Sequence, residues 1–473
     1  MAKLFHEIRD PIHVFIHLDW YEKKVLDSRP FQRLRNINQL ALTYLLYPGA
    51  THKRFEHSLG VMELAGRVFD VITKPSNLTD KVRELLPDLG NPNALPYYRC
   101  VLRMAALCHD IGHLPFSHAA EDELLPKGWN HERLSRELIQ SDEMCAIWKD
   151  MVPPLNPEHI VKLAVGARKA PDLRFSKWEV ILSEIIVGDA FGVDRIDYLL
   201  RDSHHTGVAY GRFDHYRLID ELRVLPSFEE STEPALGINA GGIYSAEALA
   251  LARYFMFSQV YYHPIRLIYD WHLKDFLSAW LPHFLSARLA QGSLLQEGTF
   301  PIDIEGHLGM TDDEVNAAIR LAAVDPKLPG HRPAECIMRH RHFKVLYERD
   351  PQDAKVHSDP GAAIARAAEL EFGTDAIRYS KPKVKNVAGD FPVRERDGRI
   401  QPAISVSETL SKLQPTAMEY VFIDPQFEAK AKDWIAKNRD KILAAAGEEE
   451  DEHETQPEGS TAHAVESPNA EER

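Results

Sequence analysis

Apolar residues recur at steps of three and four over roughly the first 290 positions, the spacing of amphipathic helices. Leu59, Met62, Ala65, Phe69 and Ile72 form one such stripe. Val101, Leu102, Ala105 and Ala106 lead a second helix into Cys108-His109-Asp110. Trp178–Ile186 and Asp194–Leu200 read as two more, and Phe255–Phe276 as a long aromatic-rich helix. Alternating pieces at Phe5–Ile8 and His13–Leu18 predict a hairpin around Asp10-Pro11. Thr299–Glu371 continues as helices. After Pro382 the pattern changes: Ala403–Val406 and Tyr420–Ile423 read as strands, and Phe427–Leu443 as a helix. The expected fold is therefore mainly α: a helical core with a small N-terminal β-hairpin, a helical extension and a small C-terminal α+β lobe. The expected boundaries are a core over 1–290, a helical and α+β lobe over 291–446, and a tail over 447–473.

The 473 residues suffice for one large core with smaller lobes. No apolar run approaches the ~20 residues of a membrane span, and the N-terminus lacks a signal-type apolar stretch. Four cysteines without a CxxC pair fit a reducing cytoplasm and oppose both a disulfide framework and a cysteine-ligated zinc site. The net charge is −15. Glu448–Arg473 holds ten acidic residues and one basic, net −9, which leaves −6 on the body. That tail has almost no large apolar residue and is expected to be disordered. An acidic body is a poor general binder of nucleic acid, but a phosphorylated small molecule needs only local positive charge.

The histidines carry the chemistry. His109-Asp110 closes an apolar helix and opens the string His-Asp-Ile-Gly-His-Leu-Pro-Phe-Ser-His118. His57 lies upstream in Lys53-Arg-Phe-Glu-His-Ser-Leu-Gly60, and Asp194 downstream in Val193-Asp-Arg-Ile-Asp-Tyr-Leu-Leu-Arg-Asp202. A histidine, a His-Asp pair and a distant aspartate on separate helices can cage a divalent ion, with positions open to water and phosphate. The dipeptide alone is more often a helix-terminal pair without metal. Three histidines, a carboxylate, a glycine and a proline within ten residues suit a reactive site better than a core. Asp194, Tyr198 and Asp202 stand at i, i+4 and i+8 on one helix face, opposite Ile196, Leu199 and Leu200.

Taken with Asp10-Pro-Ile-His13, Phe31-Gln-Arg-Leu-Arg…Gln39-Leu40 and Pro48-Gly-Ala-Thr-His-Lys-Arg-Phe-Glu-His-Ser-Leu-Gly-Val61, these blocks resemble the HD superfamily of phosphohydrolases, and within it the deoxynucleoside-triphosphate triphosphohydrolases. The resemblance is close over about residues 5–220 and looser beyond. It implies that His57, His109, Asp110 and Asp194 bind a divalent metal (iron, manganese, magnesium or zinc). Trp129-Asn-His-Glu132 matches the family's histidine–glutamate dyad, so His131 and Glu132 are expected to form the acid pair, with His113 and His118 on phosphate or water. Arg54 and Arg195 match phosphate contacts, and Gln39, Tyr198 and Asp202 sugar contacts. Without the resemblance, Tyr198 reads as a buried ring and Asp202 as the partner of Arg201 or Arg212.

Asp27, Gln32 and Arg35 match residues that read guanine in an activating nucleotide site, which implies GTP or dGTP as activator and a homo-oligomer, dimer or tetramer. The competing reading is a surface ion pair beside a solvated glutamine. At the start of that site this chain has His6 and then Glu7, a carboxylate that would repel phosphate. Lys381-Pro-Lys-Val-Lys385 could meet triphosphate across an interface, or be a solvated linker. The expected activity is metal-dependent hydrolysis of deoxynucleoside triphosphates to deoxynucleoside and inorganic triphosphate. A nucleotidase or single-strand nuclease would use the same metal site, but the chain has no basic aromatic-lined stripe for a nuclease. A nucleotide-sensing regulator would not need the intact acid set.

Overall fold

In a computed structural model, residues 5–91, 93–117, 121, 125–289, 300, 302–382, 389–414 and 417–454 are described. The expected hairpin forms from antiparallel strands His6–Asp10 and Val14–Leu18. Its turn is made by the Asp10 carboxylate, which accepts the N–H groups of Ile12 (2.9 Å) and His13 (2.8 Å). The stripe from Leu59 to Ile72 lies on the helix Arg54–Ile72, and Leu59, Met62, Ala65, Phe69 and Ile72 are all buried. The helix Ala94–Cys108 packs along it and delivers His109 at its C-terminal end. Helices Pro157–Val165, Lys177–Val187 and Val193–Thr206 complete the bundle around this pair. The molecule is mainly α, as its periodicity predicts.

Three expectations are corrected, and one further sheet joins the expected elements. Phe255–Phe276 is not one helix: Ile243–Met256 passes into a π-turn at Phe257–Tyr261, and a new helix starts at Pro264, whose ring cannot continue the ladder. Ala403–Val406 is a helical turn rather than a strand, entered after Pro402. The segment 299–371 is not all helical, since Lys344–Glu348 is a strand. Leu222–Pro226, Pro234–Asn239, Pro392–Arg394 and Ile400–Pro402 form a four-stranded sheet in that order, with the middle pair parallel. Each of these strands is six residues or fewer, and a short apolar run cannot be told from helix by periodicity.

The chain divides into two compact units that interleave in sequence: Met1–His342 with Pro382–Ala417, and Phe343–Lys381 with Met418–Arg473. The division expected after residue 290 does not fall on this boundary. Helices Asp312–Ala322 and His331–Met338 belong to the first unit because Val315, Ile319, Ala334 and Ile337 pack with Phe276 and Leu277 and with Leu114 and Phe116. The second unit is an α+β lobe. Its buried central strand Tyr420–Ile423 lies between Lys344–Glu348 and Ile377–Ser380, both antiparallel to it. Its last helix runs Glu428–Glu454, so the helix extends past residue 447, where the tail was expected to begin. Residues 455–473 lie outside the described residues.

Candidate metal centre

His57 sits in the first turn of Arg54–Ile72, where Glu56 accepts the N–H of Lys53 (3.0 Å) and starts the helix. His57 Nε2 lies 3.1 Å from Asp194 Oδ1 and 3.7 Å from Asp110 Oδ2. His109 Nε2 lies 3.3 Å from Asp110 Oδ1 and 3.6 Å from Asp194 Oδ1. Ligands about 2.0–2.2 Å from one ion stand at such mutual distances. His109 donates Nδ1–H to the Ala106 carbonyl (2.8 Å), while its buried Nε2 has no hydrogen-bond partner among the described residues. A buried ring nitrogen set between two carboxylates is the arrangement a metal ligand requires. Two imidazoles with two carboxylates suit iron, manganese or zinc. The four residues expected as ligands thus come together.

A second layer holds this set. Asp197 accepts from His57 Nδ1 (2.8 Å), His13 Nε2 (2.7 Å) and the Arg201 guanidinium (2.8 and 3.0 Å). Arg201 also donates to Asp10 (2.9 Å), the carboxylate that builds the hairpin turn. With its Nδ1–H given to Asp197, His57 presents the Nε2 lone pair to an ion. A Cβ at Gly60 would lie 1.9 Å from Asp197 Oδ1, so only glycine admits this carboxylate beside the helix. Burial opposes charge on His57, but Asp194 and Asp197 outweigh it and push its pKa up to about 10 without an ion. Burial likewise opposes ionisation of Asp197, yet Arg201, His13 and His57 hold its carboxyl well below the usual range. His13, Asp10, Asp197 and Arg201 were not singled out from the sequence as site residues. All four lie in blocks that carried the resemblance, which was the available signal.

Arg54 is buried, pairs with Asp110 and donates Nε–H to Ser117 Oγ (2.8 Å). Burial, with Arg54 and His131 nearby, drives the His113 pKa well below its ordinary value, so its ring is neutral. His113 stacks on His131 at 4.1 Å, and its Nε2 lies 3.2 Å from Asp110. His131 Nδ1 faces Glu121 (2.7 Å), while its Nε2 lies 3.2 Å from Glu132, which also pairs with Lys169. Glu121 is therefore a second carboxylate on His131 that sequence reasoning missed. A Cβ at Gly112 would lie 2.3 Å from the His131 carbonyl oxygen, so this glycine lets the helix His131–Ile139 close on the site. His118 lies outside the described residues.

Tyr198 and Asp202 extend from Asp194 along one face of Val193–Thr206. Burial raises the Tyr198 pKa to about 12, and its ring meets Tyr261 edge-on at 6.0 Å. Asp202 pairs with neither Arg201 nor Arg212. Its oxygens accept from His52 Nε2 and the Tyr261 hydroxyl, both at 2.7 Å. Gln39 Oε1 is buried with no hydrogen-bond partner among the described residues. Arg195 donates to the Gly188 carbonyl and to Asp189 (2.8 Å), and the buried Arg253 stands near it and Tyr198. Tyr261 and Arg253 were missed because each is far from the motifs in sequence, and His52, though inside a quoted block, because nothing local shows that it meets Asp202. Asp27 pairs with Lys23, and Gln32 donates to the Leu26 carbonyl and accepts from Arg35 Nε (2.9 Å). The Arg35 guanidinium stacks on Phe55 at 3.6 Å.

Residues 54–147 match the HD domain family, and residues 213–279 match the HD associated region. The chain carries an HD domain. Its HD domain encloses His57, His109, Asp110 and His131, while Asp194 lies beyond it. This HD protein is 38% identical to an uncharacterized protein of Methanocaldococcus jannaschii over 268 residues, 56% of this chain and 48% of that one. It is 31% identical to the deoxynucleoside triphosphate triphosphohydrolase SAMHD1 of Homo sapiens over 414 residues, 82% of this chain and 61% of that one. The chain thus spans about half to three-fifths of the length of these relatives. A solved hypothetical protein from Aquifex aeolicus superposes with a TM-score of 0.69 at 28% identity, covering 91% of this chain and 99% of that one. A phosphohydrolase from Bacteroides thetaiotaomicron shares the fold, with a TM-score of 0.65 at 24% identity over 89% of this chain and 99% of that one. Among the described residues, no helix is long and apolar enough to cross a membrane.

Proposed function

We propose that this protein is a metal-dependent phosphohydrolase that cuts deoxynucleoside triphosphates into deoxynucleoside and inorganic triphosphate. One observation carries the reading. The donor set of His57, His109, Asp110 and Asp194 lies at one end of a helix face that continues into Tyr198 and Asp202. A nucleotide with its α-phosphate at the donor set would lay its sugar along that face. The similarity to the human triphosphohydrolase over 82% of this chain supports the substrate class.

Those four residues would hold a divalent ion, which would supply Lewis-acid stabilisation of the phosphoryl charge and water activation. Arg54, anchored on Asp110 and Ser117, stands beside the reacting phosphate and offsets its charge. Arg195 and Arg253 would turn from the Gly188–Asp189 bend onto the outer phosphates. His131, oriented by Glu121 and Glu132, hands a proton to the leaving 5′-oxygen. His113 and His118 contact phosphate or water. Gln39 Oε1 accepts the 3′-hydroxyl, Asp202 lies beyond it, and the Tyr198 ring closes the space at C2′. A guanine nucleotide on Asp27, Gln32 and Arg35 would activate the enzyme as an oligomer.

Product analysis on a panel of deoxynucleoside triphosphates, with manganese, iron, magnesium and zinc in turn, tests the reaction. Inorganic triphosphate is the expected product. Orthophosphate would indicate a nucleotidase, and no product a sensor. A ribose hydroxyl pressed on Tyr198 loses its water partners at a cost of roughly 1–3 kcal/mol, about 5- to 150-fold in rate. The ratio of kcat/KM for dGTP over GTP should therefore exceed one by that factor, and Tyr198→Ala should reduce it. Equal wild-type values for the two sugars would overturn the sugar assignment.

A further inference from the structure

The segment before the helix Asp312–Ala322 lies outside both matched HD regions, yet its polar groups are buried against the site. Asp312 Oδ1 accepts the N–H of Phe116 and Oδ2 the N–H of Asn38, each at 2.8 Å. Two residues earlier, the Met310 carbonyl accepts from Arg33 Nε (3.0 Å), and Arg33 Nη1 donates to the His113 carbonyl (2.8 Å). Both side chains are buried, and both bridge the extension to the HD loop that follows Asp110.

The two N–H groups on Asp312 belong to backbone that needs an outside support. Phe116 and Ser117 both adopt positive φ, 56° and 58°, a conformation that non-glycine residues adopt only when their surroundings impose it. Ser117 is the residue whose hydroxyl accepts from Arg54 Nε. On the other side, residues 37–39 lie antiparallel to 52–54. Arg54 N–H donates to the Ile37 carbonyl (3.0 Å) and Gln39 N–H to the His52 carbonyl (3.0 Å). This pairing leaves the Asn38 N–H directed away from 52–54, onto Asp312. Lys53 Nζ on Asn38 Oδ1 (2.6 Å) completes the join. One carboxylate therefore sets the place of the turn behind Arg54 and of the strip carrying Gln39.

The geometry points to Asp312 as a positioning residue: through Phe116 and Asn38 it fixes Arg54 and Gln39 against the phosphate and sugar, so that the helical extension completes the substrate grip of the HD domain. It touches none of the metal ligands and leaves their cage intact. The inference rests on the proposed reading for what Arg54 and Gln39 hold, but the joint is a property of the chain alone.

The test compares Asp312→Ala and Asp312→Asn with Val315→Ala, a truncation in the same helix that weakens the same core without touching the joint. Hydrogen exchange read on peptides covering 36–40 and 110–117 should rise in Asp312→Ala and not in Val315→Ala. Metal content should stay at the wild-type value in all three. For turnover of the best deoxynucleoside triphosphate, Asp312→Ala should lose on the order of 10- to 100-fold in kcat/KM, the effect of a small misplacement. Asp312→Asn, which keeps one acceptor, should lose less. In a Gln39→Ala background the Asp312→Ala loss should shrink, because the grip it supports is already gone. Equal exchange and equal turnover losses in Asp312→Ala and Val315→Ala would overturn the inference, as would full additivity with Gln39→Ala. If the wild-type chain cuts no deoxynucleoside triphosphate, the functional reading fails and the exchange measurement alone decides the joint.

Discussion

Asp110 and Asp197 show how one residue type serves two tasks within a few ångströms. Asp110 faces His57, His109 and Arg54; burial opposes its charge, while chiefly His109 and Arg54 hold its carboxyl well below the usual range. Asp197 faces the other ring nitrogen of His57, away from Asp194 and Asp110. Asp110→Ala should abolish both bound metal and turnover, read by elemental analysis of the purified protein and by product release. Full metal loading and activity in that variant would sink the ligand assignment. Asp197→Asn should keep the four ligands but release the His57 ring. Metal affinity should then fall about 10- to 100-fold, measured by competition with a chelator. Unchanged affinity would mean that the ring is held by packing alone. Asp110 was legible because it sits in a dense motif. Asp197 was not, because i+3 from Asp194 places it on the same helix with no hint of which neighbour it meets.

At the scale of elements, the helix Val193–Thr206 carries Asp194, Tyr198 and Asp202, the proposed ligand and sugar contacts, on one face, and its apolar residues Ile196, Leu199 and Leu200 on the other. That division was readable from spacing. The joint between the extension and the HD loop was not, since 274 residues separate Asn38 from Asp312. It leaves a thermodynamic trace. Burial raises the Asp312 pKa to about 6, despite the Asn38 and Phe116 N–H groups and the nearby Lys53 and Arg33. In the unfolded chain the same carboxyl titrates near 3.9. Between these values the unfolded chain binds fewer protons than the folded one, so this group makes stability fall as pH rises from about 4 to 6, then level off. The shift corresponds to roughly 3 kcal/mol at ~1.4 kcal/mol per unit. Urea midpoints of wild type and Asp312→Asn from pH 4 to 7 should therefore move apart in favour of the variant across that window. A gap independent of pH would show that Asp312 is ionised throughout.

At the scale of the whole molecule, the proposed activator site predicts assembly. Asp27 is exposed and pairs with Lys23, and Gln32 and Arg35 are joined to each other at the surface. A guanine base on these three would need further walls, which a second copy of the chain could supply. Light scattering at micromolar protein should show a dimer or tetramer, stabilised by GTP or dGTP. A monomer under both conditions would defeat the assembly and the activator site together. The acidic surplus of Glu448–Arg473 plays no part in this prediction.

The sequence by itself determined the mainly helical character and the N-terminal hairpin, and its motifs nominated the four proposed metal ligands. These rest on local information: helix period, turn chemistry and motifs whose residues lie within ten positions of one another. The tertiary structure decided which groups orient that set. Asp197 on His57, Glu121 on His131, Tyr261 and His52 on Asp202, and Asp312 on Phe116 and Asn38 are buried polar pairs, most between residues far apart in sequence. A buried carboxylate must find donors, and periodicity records only that it is polar. The short strands around Leu222, Lys344 and Pro392 were decided in the same way. A run of five or six apolar residues becomes strand or helix according to the neighbour that completes its hydrogen bonds, and that neighbour lies elsewhere in the chain.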